Sequence, residues 1–501
     1  MGNDMNGGRL EGTGDNQDAG QQKPGTLQMA PEDMLDLAKK AAEILVKRME
    51  NLPEDLAWDG DFQQPLEVKL KEDPPEEGRP ADEVIDQATR DILPNAARLD
   101  HPRSFAFIPS SPTWPGILAD FMAAGYNFNT CNWLCASGPS EVELVVIDWI
   151  RRWIGYPDGA GGLLTSGGSA AILDAFVAAR EAAGNPERGT VYMSNQSHKA
   201  QVRAARIIGI RTEYIRLIPT DHHFRLDMDA LVRAVAEDRA AGLEPIIICA
   251  NAGAPSTGAI DPLEAVADFC QAEGLWMHAD AAYGGFAVVS KKGKALLRGI
   301  ERADSVNLDA HKWFFQPYEA GCLLLKDVGK LEHVFQVHQD VLQDTIWGAN
   351  HPSFSDRGLQ LSRSARALKI WMSVQTFGMA AFRDAVSNGM ELAARAEAYI
   401  KRSSVLESLN PASLGIVNFR VNPSIGGSDA SLDEDYLAKL NQQMLARVFW
   451  EDRALMSSTT LGETFSLRLC IINHNTTWDD VRETLEAIER FGTEALKEGW
   501  E

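Results

Sequence analysis

The 501 residues predict an α/β protein: a large domain on a mostly parallel seven-stranded sheet, followed by a smaller C-terminal α+β domain. Three observations predict this. Through the middle of the chain, short apolar runs alternate with helical patterns, which is the signature of βαβ units around a parallel sheet. Beyond about residue 385 the pattern changes to long helices separated by single strands. The composition, 45% hydrophobic and 24% charged, suits a chain that buries a large core.

Residues 1–28 are rich in Gly, Asn, Asp and Gln and are expected to form a disordered tail, because they have almost nothing to bury. A segment over 29–110 then combines helix and linker. From Pro31, a good first-turn residue, Met34, Leu37, Ala41, Leu45 and Met49 recur at helical spacing. Lys71–Pro80 carries two adjacent prolines and a charge run, so it reads as an exposed linker. The large domain, 111–384, is expected to hold strands at Gly162–Thr165, Thr190–Ser194, Glu213–Leu217, Pro245–Ala250, Leu275–Asp280, Ser305–Asp309 and Gly321–Lys326. Helical patterns between them cover Ser169–Ala182, His198–Ile208, Asp227–Ala240 and Pro262–Glu273. The last domain, 385–501, reads as helix Ala385–Ser403, strand Gly415–Val421, helix Leu432–Val448, strand Phe465–Ile471 and helix Thr477–Glu494.

The charge balance is 48 Lys and Arg against 71 Asp and Glu, a net −23, which argues against a phosphate-backbone partner. Residues 1–100 hold 11 of the basic and 23 of the acidic groups, so about half the excess lies outside the predicted sheet. No run approaches the roughly 18 apolar residues of a membrane span, and the polar N-terminus lacks signal-peptide features. The six cysteines read as reduced thiols, which with the rest implies a cytoplasmic protein with neither membrane nor nucleic acid as partner. Cys131 and Cys135 have a C-x-x-x-C spacing without a second pair or clustered His, so no metal site is expected.

Ligands of open α/β sheets sit at strand ends, and three segments there stand out. Thr165-Ser-Gly-Gly-Ser-Ala-Ala171 is a glycine turn opening a helix, either a phosphate cradle or a tight connection. His278-Ala-Asp-Ala-Ala-Tyr-Gly-Gly285 puts a carboxylate at a strand end with room for a flat ligand, or merely caps a turn. Ser305-Val-Asn-Leu-Asp-Ala-His-Lys-Trp-Phe-Phe315 ends an apolar strand on a lysine whose surroundings are expected to lower its pKa and make the amine nucleophilic. A phosphate cup, then an acid, then a lysine is the set that pyridoxal phosphate (PLP) requires.

At these residues the chain resembles the group II PLP-dependent decarboxylases, the family of aromatic-amino-acid, histidine and glutamate decarboxylases, from about residue 30 to 490. The resemblance implies a fold-type I PLP-dependent transferase-like architecture and a homodimer with active sites at the subunit interface. It implies that Lys312 forms the Schiff base, Asp280 partners the pyridine nitrogen and Ala282 packs under the ring. His198, in Ser194-Asn-Gln-Ser-His-Lys199, matches the histidine that stacks on the other face and relays protons. Gly167, Gly168 and Ser169, with Asp309 and His311, fall where the family binds the phosphate. The implied reaction is decarboxylation of an L-amino acid through the Schiff base and a quinonoid.

The chain also departs from that pattern. Val337-His-Gln-Asp-Val-Leu342 stands where the family loop reads like Val-His-Pro-Glu-Tyr-Leu, so Val341 replaces the tyrosine implied as proton donor, and valine has no proton to give. Phe107 stands where aromatic-amino-acid members often carry Tyr and Cys131 where they carry a large aromatic; both, with Val341, are expected on the substrate side. Asn251–Thr257 lacks the usual Gly-Thr-Thr, so the hydroxyl that the resemblance implies near the cofactor's phenolic oxygen is either missing or supplied by Ser256. Tyr318 is the nearest tyrosine upstream of Val341 and none follows before Tyr399, so a shift of a few residues restores nothing. Two products are therefore open. Either another group protonates Cα and an amine leaves, or the enzyme is an aldehyde synthase, a decarboxylation-dependent oxidative deaminase that consumes dioxygen and releases aldehyde, ammonia and peroxide. A PLP aminotransferase or β-lyase would want an arginine clamp, yet Arg363 and Arg366 read better as structural ion pairs, and a non-catalytic binding protein would lack a PLP absorption band. Arg103 is either a cation facing the substrate or a solvated surface group.

Overall fold

The structure, a computed structural model, describes residues 27–60, 63–336, 351–426 and 433–498. The expected tail lies outside the described residues up to residue 26, and so does Val341. The chain divides into two compact units, residues 1–52 with 60–95, and residues 53–59 with 96–501. The first holds helices Pro31–Asn51, Gln63–Leu70 and Ala81–Asp91, and residues 71–80 are exposed without helix or strand. Its first helix buries no residue, although the apolar stripe is there: Met34 is 49% and Leu45 37% exposed.

The second unit is built on the predicted sheet. Its strands are β1 (Gly161–Thr165), β2 (Gly189–Ser194), β3 (Ile215–Ile218), β4 (Glu244–Asn251), β5 (Trp276–Asp280), β6 (Ser305–Asp309) and β7 (Gly321–Leu325). They lie in the order β1-β7-β6-β5-β4-β2-β3, parallel except that β7 runs antiparallel to both neighbours. Apolar runs buried on both faces form such strands, as expected of a sheet covered by helices on each side. β3 starts two residues late because Thr212–Tyr214 winds into a 3₁₀ turn. The four expected helices end within a residue of their predicted bounds, and two predicted first residues, His198 and Asp227, are N-caps whose side chains accept from Ala200 N and Ala230 N.

The C-terminal sheet contains β8 (Leu406–Ser408), β9 (Ile416–Val421), β10 (Ser457–Leu461) and β11 (Thr464–Cys470), all antiparallel in the order β10-β11-β9-β8. It has its own apolar core, closed by helices Glu434–Glu451 and Trp478–Glu498. Neither β8 nor β10 is legible as an alternating pattern, since β8 has three residues and β10 reads Ser-Ser-Thr-Thr-Leu. The expected helix from Ala385 begins at Ala367 and ends at Ile400, running straight through the expected boundary at 384/385. Gly378, at φ +72, breaks its regularity and hides the first part from a periodicity reading. Among the described residues, no helix is long and apolar enough to cross a membrane.

Three arginines left open by the sequence are structural. Arg363 pairs with Glu143 at 2.5 Å, with side chains 1% and 0% exposed, and both also bond the Leu164 backbone of β1. Arg366 pairs with Glu319 at 2.8 Å. Arg103 is not solvated: it is buried, bonded to Asp452 Oδ2 at 2.6 Å and to Thr484 Oγ1, which occupies its charge within the protein. Because the Glu143–Arg363 pair is fully desolvated, Glu143→Leu is expected to cost about 3–5 kcal/mol in urea unfolding by stranding the guanidinium. Adding Arg363→Met should recover most of that loss.

Candidate active site

The C-terminal ends of β1, β5 and β6 open on one cleft of about 910 Å³. Lys312, Asp280, Ala282, His198, Gly167, Gly168, Ser169, Asp309, His311 and Phe107 all line it, as does Ser256. Two expected substrate-side residues do not join them. Val341 lies outside the described residues. Cys131 is not among the lining residues: its carbonyl receives Ser353 Oγ at 3.1 Å and Ser355 N at 3.0 Å, so the loop before helix Trp133–Ile154 anchors another backbone segment.

Asp280 ends β5 with its carboxylate surrounded by donors. Oδ2 accepts from Gln201 Nε2 at 2.8 Å, and Oδ1 from Asn307 Nδ2 and the Ala282 amide, each at 3.2 Å. Burial pushes its pKa up, but the Gln201 hydrogen bond and the nearby His278 and Lys312 hold it below the ordinary carboxylate value. Asp280 is a buried, ionised acid with one side facing the cleft.

The lysine differs from expectation. Burial pulls its pKa down, as predicted, but the Asp309 carboxylate at 2.9 Å outweighs burial and raises it above the ordinary lysine value. Lys312 is thus an ammonium held by a counter-ion, and its amine becomes a nucleophile only once that proton leaves. Asp309 is 2% exposed and its Oδ1 has no partner among the described residues. Beside it, His311 Nδ1 accepts from Ala320 N at 3.1 Å, while burial holds the ring's pKa down despite Asp309, which leaves a neutral imidazole with its proton on Nε2.

The glycine turn has no room for side chains. A Cβ on Gly168 would come within 3.1 Å of Ala282 Cβ and Asp309 Oδ2, and one on Gly167, at φ +151, within 3.2 Å of His311. No side chain caps the helix that starts at Gly168, and its first residues, Gly168, Ser169 and Ala170, line the cleft. An anion cradle, a buried acid and a lysine therefore converge on one space, and this donor set fits pyridoxal phosphate.

Two lining residues were not assigned to the site by the sequence. Arg468 is buried in β11 and its guanidinium bonds the Phe107 and Pro255 carbonyls and Ser457 Oγ, at 2.6, 2.7 and 3.2 Å, with the Cys470 thiol also against it. It has no carboxylate partner among the described residues; an arginine in the middle of an apolar strand is the signal that marks it. Tyr318 was weighed only by its distance along the chain from Val341, yet it lines the cleft with its ring 4.6 Å from that of His311. The residue is 61% exposed, and partial desolvation on its cleft side together with Asp309 raises its pKa, partly offset by the Lys312 charge, so the phenol keeps its proton at neutral pH.

The pyridoxal-dependent decarboxylase conserved domain matches residues 64–422. An aromatic-L-amino-acid decarboxylase of Bacillus atrophaeus is 37% identical over 474 residues, covering 93% of this chain and 97% of its own. A phenylacetaldehyde synthase of Petunia hybrida is 29% identical over 422 residues, covering 81% and 83%. The crystal structure of Oryza sativa TDC with PLP and tryptamine has a TM-score of 0.89 at 26% identity, covering 94% of this chain and 99% of that one. With the cradle, acid and lysine already in one cleft, these matches identify the chain as a member of the pyridoxal-dependent decarboxylase family, an enzyme of fold-type I that uses pyridoxal phosphate to decarboxylate an amino acid.

Proposed function

We propose that the protein decarboxylates an aromatic L-amino acid and releases the amine. The observation that carries this reading is the meeting of the Lys312 amine, the ionised Asp280 and the glycine cradle on one cleft. When bound, pyridoxal phosphate supplies an aldehyde that takes up an amine and a ring that draws electrons from Cα. Gly167, Gly168, Ser169 and His311 would hold its phosphate, Asp280 its ring nitrogen, Ala282 and His198 its two faces, and Lys312 its aldehyde. Asp309 acts as the lysine's counter-ion. The aromatic preference rests on the Bacillus relative and on Phe107 and Ile108 in the cleft wall. Arg468 offers a carboxylate the one positive charge there that carries no counter-ion among the described residues.

Loss of carbon dioxide leaves Cα in need of a proton. Tyr283, on the same wall, is buried, with its hydroxyl placed against the backbone of residue 415, where it accepts from Gly415 N at 2.8 Å. Tyr318 has no hydrogen-bond partner for its hydroxyl among the described residues, and the Lys312 and Asp309 charges both act on it. We assign it the proton delivery that Val341 cannot perform. Removing a general acid costs about 10²–10⁴-fold, so Tyr318→Phe should cut amine formation by at least about a hundredfold. Dioxygen should then divert the reaction to aldehyde, ammonia and peroxide. The assay offers phenylalanine, tyrosine, tryptophan and DOPA to the PLP-loaded enzyme and quantifies carbon dioxide, amine, aldehyde and peroxide. Absence of carbon dioxide from all four sinks the substrate class; peroxide from the unmodified enzyme selects the aldehyde-synthase reading instead.

The uncovered apolar stripe of helix Pro31–Asn51 supports a homodimer, which light scattering would register as twice the 54.9 kDa chain mass. Six unpaired thiols support a reducing, cytoplasmic setting.

A further inference from the structure

The donors around Asp280 are themselves oriented by neighbours, and the order of donation can be followed bond by bond. Trp276 Nε1 can only donate, and it does so to Ser305 Oγ at 2.8 Å. The other contact of the buried Ser305 hydroxyl is His278 Nδ1, also at 2.8 Å, so the hydroxyl hydrogen goes there. That makes Nδ1 the acceptor and puts the imidazole proton on Nε2. Burial drops the His278 pKa to about 4, so the ring carries only that one proton. Asn307 interacts with the same ring, and the two atoms here without a hydrogen-bond partner among the described residues are complementary: a ring N–H, His278 Nε2, and an amide oxygen, Asn307 Oδ1. Asn307 has its NH₂ toward Asp280, which leaves its oxygen as the group available to the histidine.

A second chain reaches the other carboxylate oxygen. Asp261 Oδ2 accepts from Asn251 Nδ2 at 3.0 Å, which turns the Asn251 oxygen toward Gln201. Gln201 is fully buried between two acceptors, Asn251 Oδ1 and Asp280 Oδ2, so its NH₂ faces both and its own Oε1 is left without a partner among the described residues. Leaving a buried amide oxygen unmatched is costly, and the arrangement keeps a donor on Asp280 regardless.

We propose that Gln201 and Asn307 are positioning residues, with His278, Ser305 and Trp276 behind Asn307. They present Asp280 with N–H groups only, so that its negative charge is fixed and turned to the ring nitrogen of the cofactor. The proposal rests on the reading that Asp280 faces that nitrogen.

The test compares apoprotein binding of pyridoxal phosphate with that of its 1-deaza analogue, which keeps the phosphate and aldehyde but has carbon in place of the ring nitrogen; tryptophan fluorescence reports both. Gln201→Met keeps side-chain length without the donor. It is expected to weaken pyridoxal phosphate about tenfold, the scale of one hydrogen bond to a charged group, while leaving the analogue unchanged. Asn307→Leu should do the same, and Asn307→Asp, which sets a second carboxylate against Asp280, should be worse still. Equal loss of both ligands in Gln201→Met, or no loss of either, overturns the proposal. Asp280→Asn separates the two levels: if it binds both ligands like the unmodified protein, the assignment of Asp280 to the ring nitrogen fails, whatever the amides do.

Discussion

Lys312→Ala is expected to abolish decarboxylation, by about 10³–10⁶-fold, the range found when a covalent catalyst is removed. The lost group is an amine at the end of β6 in the same cleft as the cradle and the acid. Borohydride treatment of the PLP-loaded protein should fix the cofactor to the peptide containing residue 312, and in the alanine variant no peptide should carry it. A colourless variant that still released carbon dioxide would sink the assignment. Lys312→Arg separates charge from nucleophilicity. The guanidinium keeps a cation beside Asp309, so apoprotein stability should be close to the original while activity is lost. In Lys312→Ala the buried Asp309 has no counter-ion, and thermal unfolding should come earlier. The pH dependence follows from the raised lysine pKa. The pair stabilises the fold below the free-lysine value, about 10.4, and that contribution disappears as pH rises through the higher folded value. The unmodified apoprotein should therefore show an alkaline loss of stability that Lys312→Ala lacks.

The parts of this site that were legible in the sequence are local in the chain. The glycine turn, Asp280 and Lys312 each follow an apolar strand; β5 and β6 are parallel neighbours, and β1, across the antiparallel β7, runs the same way as β6, so the three C-terminal ends meet at one edge by topology. Tyr318 and Arg468 could not be placed the same way. Tyr318 follows a turn after Lys312, and only the fold of residues 313–320 returns it to the cleft beside His311. Arg468 comes from the second sheet, and nothing in the spacing ties β11 to β1. The lysine's raised pKa is not readable from the apolar strand before it, because Asp309, three residues back and in contact with the ammonium, opposes burial. For Arg103 the sequence leaves a substrate-facing cation and a solvated surface group both open, because its partners, Asp452 and Thr484, lie more than 340 residues downstream. Local pattern identifies the strand ends, whereas long-range pairing decides which charges remain free.

Asp280→Asn is expected to lower decarboxylation by two to three orders of magnitude, the scale of removing a preorganised electrostatic partner from a buried site. The substitution is nearly isosteric, so packing is not the cause. Three N–H donors meet the carboxylate, from Gln201, Asn307 and Ala282, and an asparagine can satisfy them with only one oxygen. Its NH₂ must face a donor, either Gln201 or Asn307, and that amide has to turn away. The lowered pKa of the native acid gives a second readout. A carboxylate with a depressed folded pKa contributes stability above its unfolded value, about 3.9, and loses it as pH falls through the folded value. Replacing Asp280 by the amide should remove that acid-side loss. Coupling then tests whether the charge is what Gln201 serves. Alone, Gln201→Met should reduce activity and cofactor affinity, but in the Asp280→Asn background it should change little further, because the charge its donor stabilised is gone. Strict additivity of the two substitutions would mean that Gln201 acts on something other than Asp280.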